Sequence, residues 1–185
     1  LIGNTATNSA VQISLDGGSD NTSFLVNGSH NEQTTVFGEN FRYRTDNLSG
    51  TLNHQSADKK FSINATGLFS VQSNNVIQTD ITSKVLILSP DAPALYDDKG
   101  GLNWENNTFD NPVALYVCTY AYNNRTLNTD VNLQYELFHN IHIKLNGGLA
   151  YSTFDDRLLY PSTMYNPAYG ITPASSLVFK SQNQR

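Results

Sequence analysis

Apolar and polar residues alternate along most of this sequence, and this alternation restricts the chain to β-strands with one apolar and one polar face. In the longest run, 61–72, apolar residues and glycine occupy every odd position, and polar residues occupy the even positions except Leu68. Similar runs cover 11–16, 23–29, 47–53, 127–137 and 141–152. No comparable stretch repeats at helical spacing. The sequence therefore predicts an all-β protein built from antiparallel strands.

The connections between these runs alternate between short and long. In an antiparallel chain, successive connections lie at opposite ends of the sheet, so the short turns share one end and the long loops share the other. This segregation is typical of outer-membrane β-barrels, whose loops are short on the periplasmic side and long on the extracellular side. The predicted short turns are 17–20, 55–59 and 138–140, and the predicted long loops are 37–43, 74–125 and 155–176.

Strand length and residue type also favour a membrane barrel. The runs 61–72 and 141–154 are longer than the five or six residues usual in soluble strands, and they reach the nine to eleven that cross a bilayer. Asn, Ser, Thr and Gln dominate the polar positions, as suits a hydrated lumen. The sequence predicts a transmembrane β-barrel segment of about six to seven strands. Its lipid face is expected to carry Phe61, Ile63, Ile141 and Ile143.

Alternative folds share parts of this pattern. A soluble β-sandwich that acts as a carbohydrate-binding module would show the same alternation and the same abundance of tyrosine, and it would be complete within these residues. A small, complete eight-strand barrel is the third interpretation, which the lack of a terminal aromatic strand disfavours.

Composition excludes several functions. The net charge of −5 and the isoelectric point near 5.2 disfavour a nucleic-acid-binding surface. A single cysteine, Cys118, excludes an intrachain disulfide framework. The histidines are scattered, and the acidic segment 97–105 lacks the spacing of a calcium loop, so a glycine-containing turn is expected there. With no catalytic motif in the chain, the sequence predicts neither an enzyme nor a bound metal or cofactor.

The predicted loops contain segments that resemble one family. Ser89-Pro90-Asp91-Ala92-Pro93-Ala94-Leu95-Tyr96-Asp97, followed by Gly101-Leu102-Asn103-Trp104, is similar to the "APALYD…G.LNW" stretch of SusC/RagA-family TonB-dependent transporters. The later loops are similar to the "NP.A" and "YPS…NP" motifs of that family, and two early segments resemble its first barrel strands. These matches lie at 111–114, 160–167, 21–25 and 34–37.

The resemblance implies that residues 1–185 are part of a TonB-dependent receptor β-barrel, with the plug domain and the remaining strands absent from this sequence. Such a protein lies in the bacterial outer membrane and imports oligosaccharides, or in some cases peptides. The implied partners are a SusD-like surface lipoprotein that closes over the barrel, and the TonB complex, which would act through parts outside this chain.

Aromatic and amide side chains in the loops are the candidates for substrate contact. Aromatic rings stack on the C–H faces of sugars, and planar polar groups pair with hydroxyls. A glycan is favoured over a peptide because the loops offer no paired charges that would bind peptide termini. The resemblance also favours a glycan, since transporters of that family usually import oligosaccharides. The alternative role of these residues is to pack the loops together or to lie at the membrane interface. The candidates are Tyr96, Trp104, Tyr160, Tyr165, Asn166 and Tyr169.

Overall fold

A computed structural model describes residues 3–171 and 177–184. Within them the chain forms one antiparallel sheet of seven strands, each paired with its neighbours in sequence. The antiparallel pairing and the number of strands are confirmed, and the structure is mostly β, with short helical turns in the connections between strands. The strands are β1 (Asn8–Ser19), β2 (Thr22–Thr35), β3 (Gly38–Gln55), β4 (Phe61–Ile77), β5 (Thr119–Phe138), β6 (Ile141–Tyr160) and β7 (Leu177–Gln184).

The pairing register gathers the apolar residues on one face of the sheet. Residues directly opposite each other in antiparallel strands project from the same face. One such row runs from Phe24 through Leu52, Ala65 and Val131 to Gly147, one residue from each of β2 to β6. The residues predicted to face lipid also share this side, since Phe61 and Ile63 oppose Tyr135 and Leu133, which in turn oppose Ile143 and Leu145.

The opposite face is polar and is connected by side-chain hydrogen bonds. Asn47 Nδ2 donates to Ser29 Oγ at 3.1 Å, and Ser70 Oγ donates to Asn47 Oδ1 at 2.7 Å, so three strands are linked in one chain. Nearer the short turns, Asn64 Nδ2 donates to Asn53 Oδ1 at 2.6 Å. The Asn and Ser side chains of the polar face therefore satisfy part of their hydrogen-bonding capacity with one another, across neighbouring strands.

The described sheet is open, with β1 and β7 as its edges. The described strands therefore do not form a closed eight-strand barrel. Because all of them belong to one sheet, they do not form a two-layer sandwich either. No helix among the described residues is long and apolar enough to cross a membrane.

The predicted segregation of turns and loops is confirmed in part: the three short turns share one end of the sheet, but only two of the three connections at the other end are long, and both are shorter than predicted. The short connections 20–21, 56–60 and 139–140 lie at one end of the sheet, and the connections 78–118 and 161–176 lie at the other. The strands continue into the predicted loops because polar residues also form ladder hydrogen bonds, which do not depend on an apolar face. Residues 172–176, at the end of the last predicted loop, lie outside the described residues.

The prediction of a long loop at 37–43 is wrong. Val36 and Phe37 alone connect β2 to β3, and β3 begins at Gly38. The register shifts between Thr34 and Thr35, and Gly38 has φ +133°, which L residues with a side chain rarely adopt. Period-two patterning did not predict the first part of β3, because its residues show no clear alternation and because the register shift interrupts the pairing.

We expect the turn between β5 and β6 to depend on Asn140, which has φ +70°. Asn tolerates this left-handed conformation, but a β-branched residue does not. Asn140→Val should lower the free energy of unfolding by about 1–2 kcal/mol, and Asn140→Gly should leave it nearly unchanged. Urea denaturation followed by circular dichroism measures both. His139→Val, at the adjacent turn position, is the control, and an equal loss in that variant would contradict the conformational explanation.

Candidate functional site

The loops at one end of the sheet form a packed lobe, which we define as residues 78–118 and 161–171. It contains a short helix α1 (Thr82–Leu86) and 3-10 turns at Glu105–Asn107, Pro112–Val117, Ser162–Met164 and Pro167–Tyr169. Among the described residues, every buried side chain except that of Ile77 belongs to this loop lobe. The chain thus has its compact core in the loops. Its buried members are Ile81, Asn111, Pro112, Val113, Ala114, Cys118, Ser162 and Asn166.

Cys118 ties the base of the two loops together. Its thiol is fully buried and lies 3.2 Å from the Met164 sulfur of the second loop. Its carbonyl accepts a hydrogen bond from the Gln78 backbone N–H at 2.9 Å, which closes the first loop where it leaves the sheet. Burial raises the pKa of the Cys118 thiol, so the side chain remains protonated at neutral pH and behaves as a small apolar residue.

The two Asn-Pro dipeptides of the loop lobe are structural caps. Asn111 Oδ1 accepts from the Val113 N–H, and Asn166 Oδ1 accepts from the Ala168 N–H, both at 3.0 Å. The following prolines start 3-10 turns, where a fixed φ and a missing N–H are favourable. Asn111 also donates to the carbonyls of Leu95 and Asn103 at 2.6 and 2.9 Å. It therefore holds one segment of the first loop against another.

A tight turn shapes the next part of the loop lobe. Asp97 Oδ1 accepts from the backbone N–H groups of Lys99 and Gly101 at 2.9 and 2.7 Å, and Gly100 adopts φ +80°. The turn joins Tyr96 to Leu102 through an isolated β-bridge. The predicted glycine-containing turn is thus present, with the Asp97 carboxylate engaged in holding it. No group of three His, Cys, Asp or Glu side chains suited to a metal occurs in the described residues.

Beside this turn lies an open cleft of about 950 Å³ between the two loops. Its lining is rich in aromatic and aliphatic side chains, and none of the residues that line it is charged. A concave, mostly apolar surface with a few polar groups is the usual form of a small-ligand site. The principal side chains are those of Tyr96, Leu102, Trp104, Tyr116, Val117, Ser162, Thr163, Tyr165 and Ile171.

Tyr116 is fixed in the cleft by the turn between β2 and β3. Its ring lies 6.2 Å from the rings of both Phe37 and Phe41, edge-on to the first. Burial raises the pKa of Tyr116, and proximity to Tyr96 raises it further, so its phenol stays neutral. No sequence pattern predicted this position for Tyr116, because the residue lies in the apolar run 113–118 and belongs to no loop motif.

The structure brings three of the six predicted contact residues together, since Tyr96, Trp104 and Tyr165 line the cleft. Asn166 is buried, and its carboxamide oxygen caps a turn. Tyr160 is not a loop residue but the last residue of β6, opposite Leu177. Tyr169 is 70% exposed and lies outside the cleft lining.

Trp104 also lines a second cavity of about 600 Å³. Leu88, Pro93, Phe109 and Met164 contribute to its lining. Near it, Leu86 and Ile87 are 77% and 82% exposed at the end of α1. The loop lobe therefore presents uncovered apolar side chains to its surroundings, in addition to those inside the cleft.

No protein-family model matches the chain, and no curated protein sequence is significantly similar to it. The resemblance to SusC/RagA transporters therefore stays a prediction carried by the loop motifs. The structure gives two of these motifs a physical role, because both Asn-Pro dipeptides cap turns in the loop lobe.

We expect the caps to matter more for loop structure than the exposed tyrosine. Asn166→Ala should cost about 1 kcal/mol of loop stability, the usual cost of losing a cap. Asn111→Ala should cost more, because two further hydrogen bonds to carbonyls are lost. Limited proteolysis of residues 78–118 and 161–171 measures the opening of the loops. Tyr169→Ala is the control, and faster cleavage of that variant than of Asn111→Ala would contradict the assignment.

Proposed function

We propose that this chain is part of a bacterial outer-membrane β-barrel that imports a bulky nutrient by TonB-dependent transport. The observation that carries the proposal is the apolar face of the sheet, which the described residues leave uncovered. Ile13, Leu48, Ile143 and Leu145 on this face are between 54% and 71% exposed. In water such a face would drive aggregation, whereas hydrocarbon is a suitable solvent for it.

The dimensions of the apolar face agree with a bilayer. On β6 it extends from Ile141 to Tyr151, about 34 Å at 3.4 Å per residue. At the tilt of about 45° usual for barrel strands, this length spans about 24 Å of membrane, close to the apolar band of such barrels. Aromatic residues mark both limits, as interfacial girdles do. Phe61 and Tyr135 pair at the turn end, and Phe69 and Tyr151 both oppose Leu127 at the loop end.

Beyond the loop-end aromatic residues, the same face becomes polar and charged. His30 Nδ1 and Asp46 Oδ1 are 2.6 Å apart, and Arg44 pairs with Glu32. These residues continue the rows of the apolar face, since Glu32 opposes Arg44 and His30 opposes Asp46. On neighbouring strands the side chains of this face change from apolar to charged at the same height. This is expected of strands that project out of the membrane on the loop side.

The open edges of the sheet support a larger barrel. β1 and β7 each present an unpaired edge, and backbone groups in hydrocarbon require partners. Further strands outside the described residues would supply them, as in the barrels of about 22 strands with a plugged lumen. The polar face, rich in Asn, Ser and Thr, would then line a hydrated interior.

The loop lobe would lie at the extracellular mouth and hold the nutrient. Its cleft is uncharged and aromatic, which favours an oligosaccharide over a peptide with charged termini. The exposed side chains of Leu86 and Ile87 would be covered by the SusD-like lipoprotein that the resemblance implies. Energy would come from the TonB complex through parts outside this chain, and the chain itself would perform no catalysis.

We expect an arginine in the middle of the apolar face to impair membrane insertion. Val131 lies opposite Ala65 and Gly147, between the aromatic limits. Val131→Arg should cost about 2–4 kcal/mol at the membrane midplane. Asn132→Arg, the next residue on the polar face, is the matched control and should insert normally. The measurement is the amount of protein in purified outer membranes, together with its unfolding by urea in lipid vesicles.

Equal recovery of the two arginine variants would contradict a lipid-facing apolar surface. A natural protein that purifies as a monomer without detergent and melts cooperatively would contradict the membrane location. It would favour instead the soluble carbohydrate-binding module considered from the sequence.

We expect the first loop to contact the surface lipoprotein. Deleting residues 91–104 should reduce co-purification of the lipoprotein about tenfold, because it removes Trp104 and the carbonyl partners of Asn111. Ile87→Asp tests the same surface without disturbing the fold, since Ile87 is 82% exposed. Ser83→Asp, at an exposed position one turn earlier in α1, is its control. Undiminished recovery with both the deletion and Ile87→Asp would place the lipoprotein elsewhere.

A further inference from the structure

Cationic side chains gather on one face of the sheet, just beyond its loop-end aromatic residues. Five of the eleven Lys and Arg residues of the chain lie there, although the net charge of the chain is −5. The pairing register places all five in rows that continue the apolar face. We define these five residues as the cationic belt: Arg42, Arg44, Arg125, Arg157 and Lys180.

The rows of opposed residues give the level of each cation along the strands. Arg125 lies two residues past Leu127, which opposes the loop-end residues Phe69 and Tyr151. The polar face carries no cation at this level, because Lys144, near the turns, is the one Lys or Arg that the described strands place on it. Farthest from the turns is a row that crosses β3 to β7 and contains Arg42, Asn75, Ala121, Arg157 and Lys180.

Acidic residues neutralise only part of the cationic belt. Glu32 pairs with Arg44, and Glu32 Oε1 also lies 3.6 Å from Arg42 Nη1, so one carboxylate serves two guanidinium groups. Asp46 lies against His30 rather than against a member of the belt. The arginines of β3 are therefore held by the sheet itself, and the cations of β5, β6 and β7 remain to be accounted for.

Two of these remaining cations repel each other. Arg157 and Lys180 lie directly opposite on β6 and β7, and like charges in that position destabilise a sheet. Both are exposed, as is Arg125, and none of the three forms an ion pair in the part of the chain that the structure describes. Asp155, on the same face, opposes Gln182. An anion from outside the sheet would relieve the repulsion by accepting charge-assisted hydrogen bonds from both cations.

The height of the cationic belt indicates the kind of anion. At the usual tilt of about 45°, the two residues from Leu127 to Arg125 correspond to about 5 Å above the apolar band. The six residues from Tyr151 to Arg157 correspond to about 14 Å. The headgroup layer of an ordinary phospholipid leaflet is only about 5–8 Å thick. The belt thus begins at the level of headgroup phosphates and continues above them.

We propose that the cationic belt binds a phosphorylated glycolipid of the outer leaflet, with its acyl chains on the apolar face. Arg125 contacts a phosphate next to the acyl chains, and Arg157 and Lys180 hold a phosphate on the outer sugars between them. A glycolipid fits better than a phospholipid because its sugars carry anionic groups to the height of Arg157. This inference rests on the proposed function, in which the apolar face lies in lipid and the loops lie outside the cell.

The probe is lipopolysaccharide with phosphorylated core sugars, and the measurement is its affinity for the natural protein purified in an uncharged detergent. Arg157→Gln and Lys180→Gln should each weaken binding about fivefold, because one cation near a membrane surface contributes about 1 kcal/mol. Removing the phosphates from the lipid should weaken binding at least as much. Lys144→Gln is the matched control, since it removes the same charge from the polar face and should leave the affinity unchanged.

Stability gives a second measurement with the opposite sign. Without lipid, Arg157→Gln should resist urea as well as the natural protein or better, because the variant loses a like-charge contact with Lys180. With lipopolysaccharide added, the natural protein should become the more stable of the two, because a ligand stabilises the form that binds it more tightly.

Several results would overturn the inference. They are unchanged affinity in Arg157→Gln and Lys180→Gln, an equal loss in Lys144→Gln, undiminished binding of the dephosphorylated lipid, and lower stability of Arg157→Gln without lipid. Equally tight binding of phosphatidylglycerol would replace the glycolipid with an ordinary anionic phospholipid. If these results occur in a protein recovered from outer membranes, only the assignment of the cationic belt fails. Absence from outer membranes is the result that removes the proposed function.

Discussion

The pairing register between adjacent strands is the constraint on which the rest of the structure depends. Side chains alternate with a period of two, so a slip of one residue would move every apolar side chain of a strand to the polar face. The row that joins Phe24 to Gly147 exists only in the observed register. Tight turns such as 20–21 and 139–140 fix that register at one end of the sheet, so the apolar face and the polar face arise together.

The sequence predicted the parts of the fold that depend on alternation and turn chemistry. The strands around Phe61 and Ile141, the turn before Ile141 and the separation of turns from loops all follow from period-two patterning. Strand ends did not, because residues such as Asn74 and Tyr122 are hydrogen-bonded in ladders without any apolar signal. Backbone pairing extends wherever a neighbouring strand is available, and a single sequence does not show where its neighbours end.

The lining of the cleft was predicted only in part, because residue type alone does not show which groups a side chain contacts. Residue type identified Trp104 and Tyr165 as cleft residues, but the same criterion selected Asn166, whose carboxamide serves the backbone. Asn is equally suited to capping a turn and to binding a sugar, and only the position of the neighbouring N–H groups decides between these roles. Tyr116 was missed because its place in the cleft depends on Phe37 and Phe41, which are distant in sequence.

The meander topology has a consequence for how such a sheet is assembled. Every strand pairs only with its neighbours in the chain, so each added strand closes a single hairpin and the entropy of chain closure is lost in small steps. The pairing of β4 with β5 departs most from this pattern, since it must bring Ile77 to Thr119 across the whole first loop, which is longer than the connection from Tyr160 to Leu177. Assembly of the sheet therefore divides at this point into two locally connected halves, β1 to β4 and β5 to β7, and their joining is the slow, non-local step.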